Sequence, residues 1–233
     1  MSRRPPDPSP APLDAYCQRF DDDFRTVNQR SAFRRYLEGL LLPAERNKPL
    51  TALADTEPIV GSQRPHVQRL QWFLSESSWS PERLNERRLA VLQADPVTAA
   101  DGQGVLVIDE HGDRKWGSKT AHVGRQYLAN LGKVDLGVVS VSSVWADERV
   151  YWPVDVRPYT PAHHFPQGRA DPAFLTNVQL ASRLVRQAQA RGLPFRAVVA
   201  DCLYGEDRAF TAGLREAGIG YVLALKPSHT WWH

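Results

Sequence analysis

The sequence predicts an α/β protein in which an α-helical region precedes a mixed β-sheet core, and three observations predict it. Apolar residues recur at three- to four-residue spacing at Tyr16, Phe20, Phe24 and Val27, again at Phe33, Tyr36, Leu37 and Leu40, and again at Val67, Leu70 and Leu74. After Asp101-Gly102 the texture changes to short continuous apolar runs, Gly104–Asp109 and Phe195–Asp201, each ending on a carboxylate. Between and after those runs, β-branched segments alternate with helical periodicity in the order β-β-β-α-β-α-β.

Taken in order, the first twelve residues contain five prolines, which predicts a disordered Pro-rich arm over 1–13. Asp14 is a plausible N-cap for one long or two abutting helices that end before Pro43. Another helix follows Pro65. Ser80-Pro81-Glu82 supplies an N-cap, a proline at the first helical position and an acid in the first turn of a helix running to about Ala94. Residues 14–100 therefore read as a helical N-terminal domain, a candidate for DNA binding, and 103–233 as a second domain. There, Gly104–Asp109 and Phe195–Asp201 read as strands buried on both faces. Leu136–Trp145 and Val150–Val156 read as a hairpin turned at Asp147-Glu148. Val178, Ala181, Leu184, Val185 and Ala188 form a helix stopped by Gly192 and Pro194. A helix over 207–217 and a strand over 221–225 close the order.

Composition sets bounds on function. The 233 residues carry 29 Lys+Arg against 26 Asp+Glu and 42% apolar side chains. This excludes wholesale disorder and allows a substantial core without staples. No apolar run approaches the roughly 18 residues a membrane span needs, so a soluble, cytoplasmic protein with no membrane partner is expected. Cys17 and Cys202 are far apart and form no CxxC pair, so neither a disulfide framework nor a cysteine zinc site is indicated. The calculated pI is near 9.0, yet residues 1–100 hold 14 basic and 13 acidic side chains and residues 101–233 hold 15 and 13. The basicity is spread, and 24 of the 29 cations are Arg, which suits phosphate contacts and is equally what a GC-rich genome encodes.

The element order is topologically that of a ribonuclease H-like core short of its last helix. Parallel strands deliver their C-terminal ends to one edge, where α/β sheets present their sites. If the first and fourth strands are neighbours, Asp109 and Asp201 converge there. Two such carboxylates can hold a hard divalent cation such as Mg²⁺, and a pair of ions would serve phosphodiester cleavage. Aspartates after strands are also common caps and turn formers. Directly beyond Asp109, Arg114, Lys115, Lys119, Arg125 and Lys133 occur without an acid between 114 and 133 and with glycines interspersed. Such a loop can wrap a phosphate backbone, or be a solvated surface.

The stretch VLVIDEHGDRKWGSKTAHVGRQYLANLGKVDLGVVSVSSVWADERVYWPVDVRPYTPAHHFPQG, followed by FRAVVADCLYGED and YVLALKP, closely resembles the IS701-type transposases of the DDE superfamily. Upstream, FRRYLEGLLLPAERN and VQRLQWFLSESSWSPERLNERR are similar to the same family's helical region. The resemblance runs from about residue 14 to 230. It implies a ribonuclease H-like catalytic core, with Asp109 as the first catalytic and metal-binding Asp and Asp201 as the second. It also implies Mg²⁺ or Mn²⁺ as cofactor, double-stranded DNA at transposon ends and target as partner, and assembly as a homo-oligomer as compatible with it. Two departures accompany it. Glu110 stands where the family usually has Asp, which keeps a carboxylate. The third acidic ligand of such enzymes lies well downstream, and this chain stops at His233 after the apolar pair Trp231-Trp232; Glu206, five residues past Asp201, is too local to replace it. The expectation is a truncated, inactive transposase. A non-catalytic DNA-binding fragment that interferes with a full-length copy is the alternative, and a ribonuclease H-like nuclease unrelated to transposition is a third.

Other candidates are weaker. His163-His164, with His111 and His122, lack zinc spacing and read as solvated or phosphate-contacting. Cys202 reads as a small buried residue, not a nucleophile. Trp72, Trp79, Trp145 and Trp152 read as core. No GxGxxG or GxxxxGK[ST] motif occurs, which argues against nucleotide binding.

Overall fold

The computed structural model describes residues 12–43, 48–56 and 61–226. The expected arm, apart from Pro12 and Leu13, lies outside these residues, as do Trp231 and Trp232. The chain divides into two compact units at Val91/Leu92.

The first unit is helical. α1 (Pro12–Gln18) and α2 (Val27–Leu41) are separate helices with a single 3₁₀ turn, Asp21–Asp23, between them. The break arises because Thr26 and Gln29 form a capping box, each side chain closing on the other's backbone N–H, which starts a new helix at Val27. α3 (Leu50–Leu53) and α4 (Pro65–Ser75) follow, and α5 (Pro81–Ala94) begins where Ser80 Oγ accepts from Arg83 N at 3.2 Å. Phe20, Phe24, Phe33 and Phe73 form one core cluster, with Trp79 stacked on Phe73 at 5.5 Å. Leu53, Ala54, Val67 and Leu70 form another. Four apolar positions behave otherwise than expected: Val27, Leu40, Leu74 and Trp72 are exposed, while Phe73 joins Val67 and Leu70 as a buried side chain of α4. α4 buries the stripe Val67, Leu70 and Phe73, so Trp72, one step of about 100° around the helix from Phe73, faces outward. Asp23 ties α5 to the 3₁₀ turn through Arg83 and Arg87 at 3.2 and 3.3 Å.

The second unit contains a six-stranded mixed sheet. Its strands are β1 (Val105–Arg114), β2 (Gly124–Leu128), β3 (Lys133–Ala146), β4 (Tyr151–Pro158), β5 (Ala197–Ala200) and β6 (Gly220–Leu223). α6 (Asn177–Ala190), opened by a Thr176/Gln179 capping box, connects β4 to β5; α7 (Cys202–Gly205) and α8 (Arg208–Glu216) connect β5 to β6. The sheet order is β2-β3-β1-β5-β6, with β4 also on β3. β1 is antiparallel to β3 and parallel to β5, and β5 is parallel to β6. The hairpin of β3 and β4 forms as its sequence predicts. β2 does not follow the expected loop. Its alternation, with Arg125 and Tyr127 exposed against buried Gly124 and Leu128, is carried by polar and small residues and so is muted in the sequence.

The two faces of the sheet differ. On one, Leu106, Ile108, Val141, Trp145, Val198 and Ala200 are buried, and α6 presents Leu180, Leu184, Val185 and Ala188 toward this unit's core. Trp145 and Trp152 stack there at 5.5 Å, their ring nitrogens donating to Pro194 O at 2.9 Å and Thr98 O at 3.0 Å. On the other face Val105, Val107, Val144 and Val199 are only half-buried and Val222 is exposed. The apolar runs of β1 and β5 are therefore fully buried on one face only. Among the described residues, no helix is long and apolar enough to cross a membrane.

Candidate active site

The parallel pairing of β1 with β5 ends at Ile108↔Ala200. Asp109 and Asp201 are the next residues on each chain. They stand side by side just past the end of the β1–β5 ladder, on strands about 4.8 Å apart, on the face opposite the buried Ile108 and Ala200, and both are exposed. Asp109 does not end its strand as the sequence suggested. β1 continues to Arg114 against β3 alone, because β5 stops and the chain turns into α7. Asp109 thus sits where β1 loses its parallel neighbour, which opens space in front of the carboxylate.

Each carboxylate is oriented by a backbone donor. Asp109 Oδ1 accepts from Glu110 N at 2.9 Å, and Asp201 Oδ1 accepts from Leu203 N at 2.9 Å as the N-cap of α7. Asp201 therefore does act as a cap, and capping fixes its side chain instead of consuming it. The second oxygen of each aspartate has no hydrogen bond among the described residues, so each carboxylate keeps one hard oxygen donor unspent. That donor set suits Mg²⁺ or Mn²⁺, with water completing the shell. Among the described residues no group of three His, Cys, Asp or Glu is placed to hold a metal.

Directly behind the pair, on the buried face, Tyr204 Oη donates to Glu110 Oε2 at 2.7 Å. Tyr204 is fully buried. Burial pushes the Glu110 carboxyl up, the Tyr204 hydrogen bond opposes this, and the charges of Asp201 and Asp109 add to the rise. The Tyr204 phenol is pushed up, first by burial and then by Glu110. Glu110 thus faces away from the aspartates and links β1 to α7. Glu206 pairs with Lys226 at 2.6 Å, away from a ligand role. Gly205 closes α7 against the segment just after β6: a Cβ there would lie 2.2 Å from the Ala224 carbonyl oxygen.

The five cations are divided by the tertiary structure. Arg114 pairs with Asp135 at 3.1 Å, Lys133 with the same carboxylate at 3.8 Å, and Lys115 with Asp113 at 2.5 Å. These acids flank the 114–133 interval from outside, and Asp135 meets Arg114 because the β1–β3 register ends at Arg114↔Gly137. A backbone N–H from Leu136 holds the Asp135 carboxyl below its usual range, with the charges of Arg114, Lys133 and Arg125 adding to the effect. Lys119 and Arg125 have no ion pair among the described residues.

The histidines find local partners. His122 Nδ1 lies 2.7 Å from Thr160 Oγ1, and His164 Nε2 lies 2.7 Å from Val123 O. Cys202 is half-buried at the start of α7, and Cys17 is buried. Three residues that the sequence did not single out matter to the site. Tyr204 lies one helical turn after Asp201, a spacing that could have shown it. Asp135 needed the strand register. Trp116, in the quoted motif stretch, is 85% exposed and carries the Arg114 guanidinium over its ring at 4.1 Å.

The family profile described as "DDE superfamily endonuclease" matches residues 19–233. Among curated proteins, the "Probable transposase for insertion sequence element IS701" of Microchaete diplosiphon is 33% identical over 231 residues, covering 97% of this chain. The chain spans 57% of the length of that relative.

Proposed function

This chain belongs to the DDE superfamily endonuclease family, and we propose from that premise that it supplies the carboxylate edge of a DNA transposase with a ribonuclease H-like core. Its substrates in this reading are double-stranded DNA at transposon ends and in the target. Cleavage breaks a P–O3′ bond with water as the entering oxygen and leaves a 3′-hydroxyl; transfer uses that hydroxyl as the nucleophile on a target phosphodiester. The observation that carries the proposal is the register that sets Asp109 beside Asp201.

A divalent ion, Mg²⁺ or Mn²⁺, would supply charge stabilisation at the phosphate and a more acidic entering oxygen. Asp109 and Asp201 would hold it through the oxygens their backbone donors leave open. Lys119 and Arg125 would meet phosphates directly, while Arg114, Lys115 and Lys133 would do so with their charge shared by Asp135 and Asp113. Two carboxylates hold one ion well. A second ion on the leaving-group side needs another fixed oxygen ligand, so the 233-residue chain alone binds metal and DNA but does not cleave.

The test is Mn²⁺ binding and nicking by the chain and by Asp109→Asn and Asp201→Asn. Saturable Mn²⁺ binding lost in either variant, without strand cleavage, is expected. Binding that ignores both substitutions removes the metal site. Mn²⁺-dependent nicking that disappears in Asp109→Asn removes the two-ligand limit.

A further inference from the structure

We propose that Trp116 is a stacking platform for an unpaired nucleobase of the DNA, held ready by Arg114. The proposal rests on the DNA-acting function above and adds a ligand class to it.

The segment between β1 and β2 leaves the ladder at Arg114; Lys115 pairs with Asp113, His122 meets Thr160 and Val123 is buried, whereas Trp116 projects from it. Trp116 is 85% exposed, the most exposed of the large apolar side chains in this unit. An indole normally buries 150–250 Å² of surface, so an exposed one forgoes a large hydrophobic gain. Nor is it placed at random. The Arg114 guanidinium lies 4.1 Å over its ring, and Arg114 is in turn fixed by Asp135 at 3.1 Å, which the Leu136 backbone N–H orients at 2.8 Å. A chain of contacts from the β1–β3 ladder thus holds a cation against one face of the indole and leaves the other face open.

A flat ring that is open on one face and backed by a cation on the other suits a flat π ligand attached to an anion. Nucleobases are such ligands: every base has a π-face, and aromatic stacking is tolerant of sequence. Lys119, three residues on, is exposed and without an ion pair among the described residues, and in this proposal it supplies a cation for the phosphate of the same nucleotide. Bases inside a duplex are already stacked on both faces, so the ligand is an unpaired one. Arg114 is five residue steps along β1 from Asp109, about 17 Å at the rise of a strand, or roughly five base-pair steps of DNA at 3.4 Å each. The stacked base therefore belongs to the strand near the bond to be cut.

Affinity is measured for two labelled duplexes that differ only in a single-nucleotide bulge of 2-aminopurine, with the 233-residue chain, Trp116→Ala and Trp116→Phe. The chain is expected to favour the bulged duplex about tenfold and to quench its 2-aminopurine fluorescence. Trp116→Ala is expected to lose both the preference and the quenching while holding the paired duplex as before, and Trp116→Phe to retain most of the preference. An exposed side chain can be removed without unfolding the chain, and unchanged thermal melting checks this. Equal affinity for the two duplexes, or a preference that Trp116→Ala leaves intact, overturns the stacking proposal alone. Absence of binding to either duplex overturns it together with the DNA-acting function.

Discussion

Tyr204 donates its phenolic hydrogen to Glu110 Oε2 across 2.7 Å, and this bond fastens the two segments that carry Asp109 and Asp201. Glu110 follows one aspartate directly and Tyr204 lies three residues beyond the other. The contact is on the buried side of the sheet, so it acts on the shape of the edge and leaves the aspartates facing out.

Tyr204→Phe keeps the ring packing against Phe210 and removes only the donor. Leaving a half-buried carboxyl without its partner costs about 1–3 kcal/mol. Urea unfolding followed by the fluorescence of Trp145 and Trp152 is expected to show a lower midpoint for the sheet unit with an unchanged slope.

Gly205→Ala is expected to be more damaging at the site than Tyr204→Phe. Its Cβ would stand 2.2 Å from backbone, the Ala224 oxygen, which no rotamer change relieves. α7 must shift, and Asp201 caps α7, so the carboxylate pair moves apart. Overpacking of this kind costs roughly 1–3 kcal/mol, and the functional readout is weaker Mn²⁺ binding in a chain that still melts cooperatively.

DNA affinity is expected to fall with salt by an amount set by the cations that are not already paired. With about 3–5 phosphates neutralised, log K against log salt should have a slope of roughly −3 to −5 for duplex DNA. Lys119→Ala and Arg125→Ala should each flatten it by about 1, and Lys115→Ala by less, because Asp113 already shares that charge.

The turn between β3 and β4 has a pH signature. Asp147 accepts from the Val150 and Arg149 backbone at 2.7 Å each and from the Arg149 guanidinium at 2.8 and 2.9 Å. The Val150 hydrogen bond leads in holding its carboxyl below the ordinary value. An acid lowered on folding contributes stability above its unfolded pKa of about 3.9 and loses it as pH falls through the folded value. Asp147→Asn should therefore melt at a lower temperature than the parent at neutral pH, and the gap should close below about pH 4.

How much was legible in the sequence depends on how far each signal reaches along the chain. The helix starts at Pro65 and Ser80-Pro81, the apolar strands ending near Asp109 and Asp201, and the β3–β4 hairpin are visible in spacing alone, because backbone propensity and side-chain periodicity act within a few residues. The family resemblance was legible for the same reason, in contiguous motifs. β2 escaped because its outward positions are Arg125 and Tyr127, so its alternation is not one of apolar against charged. Arg114, Lys115 and Lys133 read as free cations from their own interval, whereas carboxylates flank it: Asp113 and Asp135 lie two residues from Lys115 and Lys133 along the chain, and Asp135 meets Arg114 only through the pairing of β1 with β3. The same holds for Tyr204 with Glu110, which are separated by 94 residues. The sequence by itself determined most of the helices, the apolar cores of β1 and β5, the β3–β4 hairpin, and the two carboxylates that directly follow those apolar runs. Only the tertiary structure decided which charges are cancelled, which face of the sheet is covered and which side chain stands behind the aspartates, because strand register brings together groups whose attraction falls off within a few ångströms and leaves no local trace along the chain.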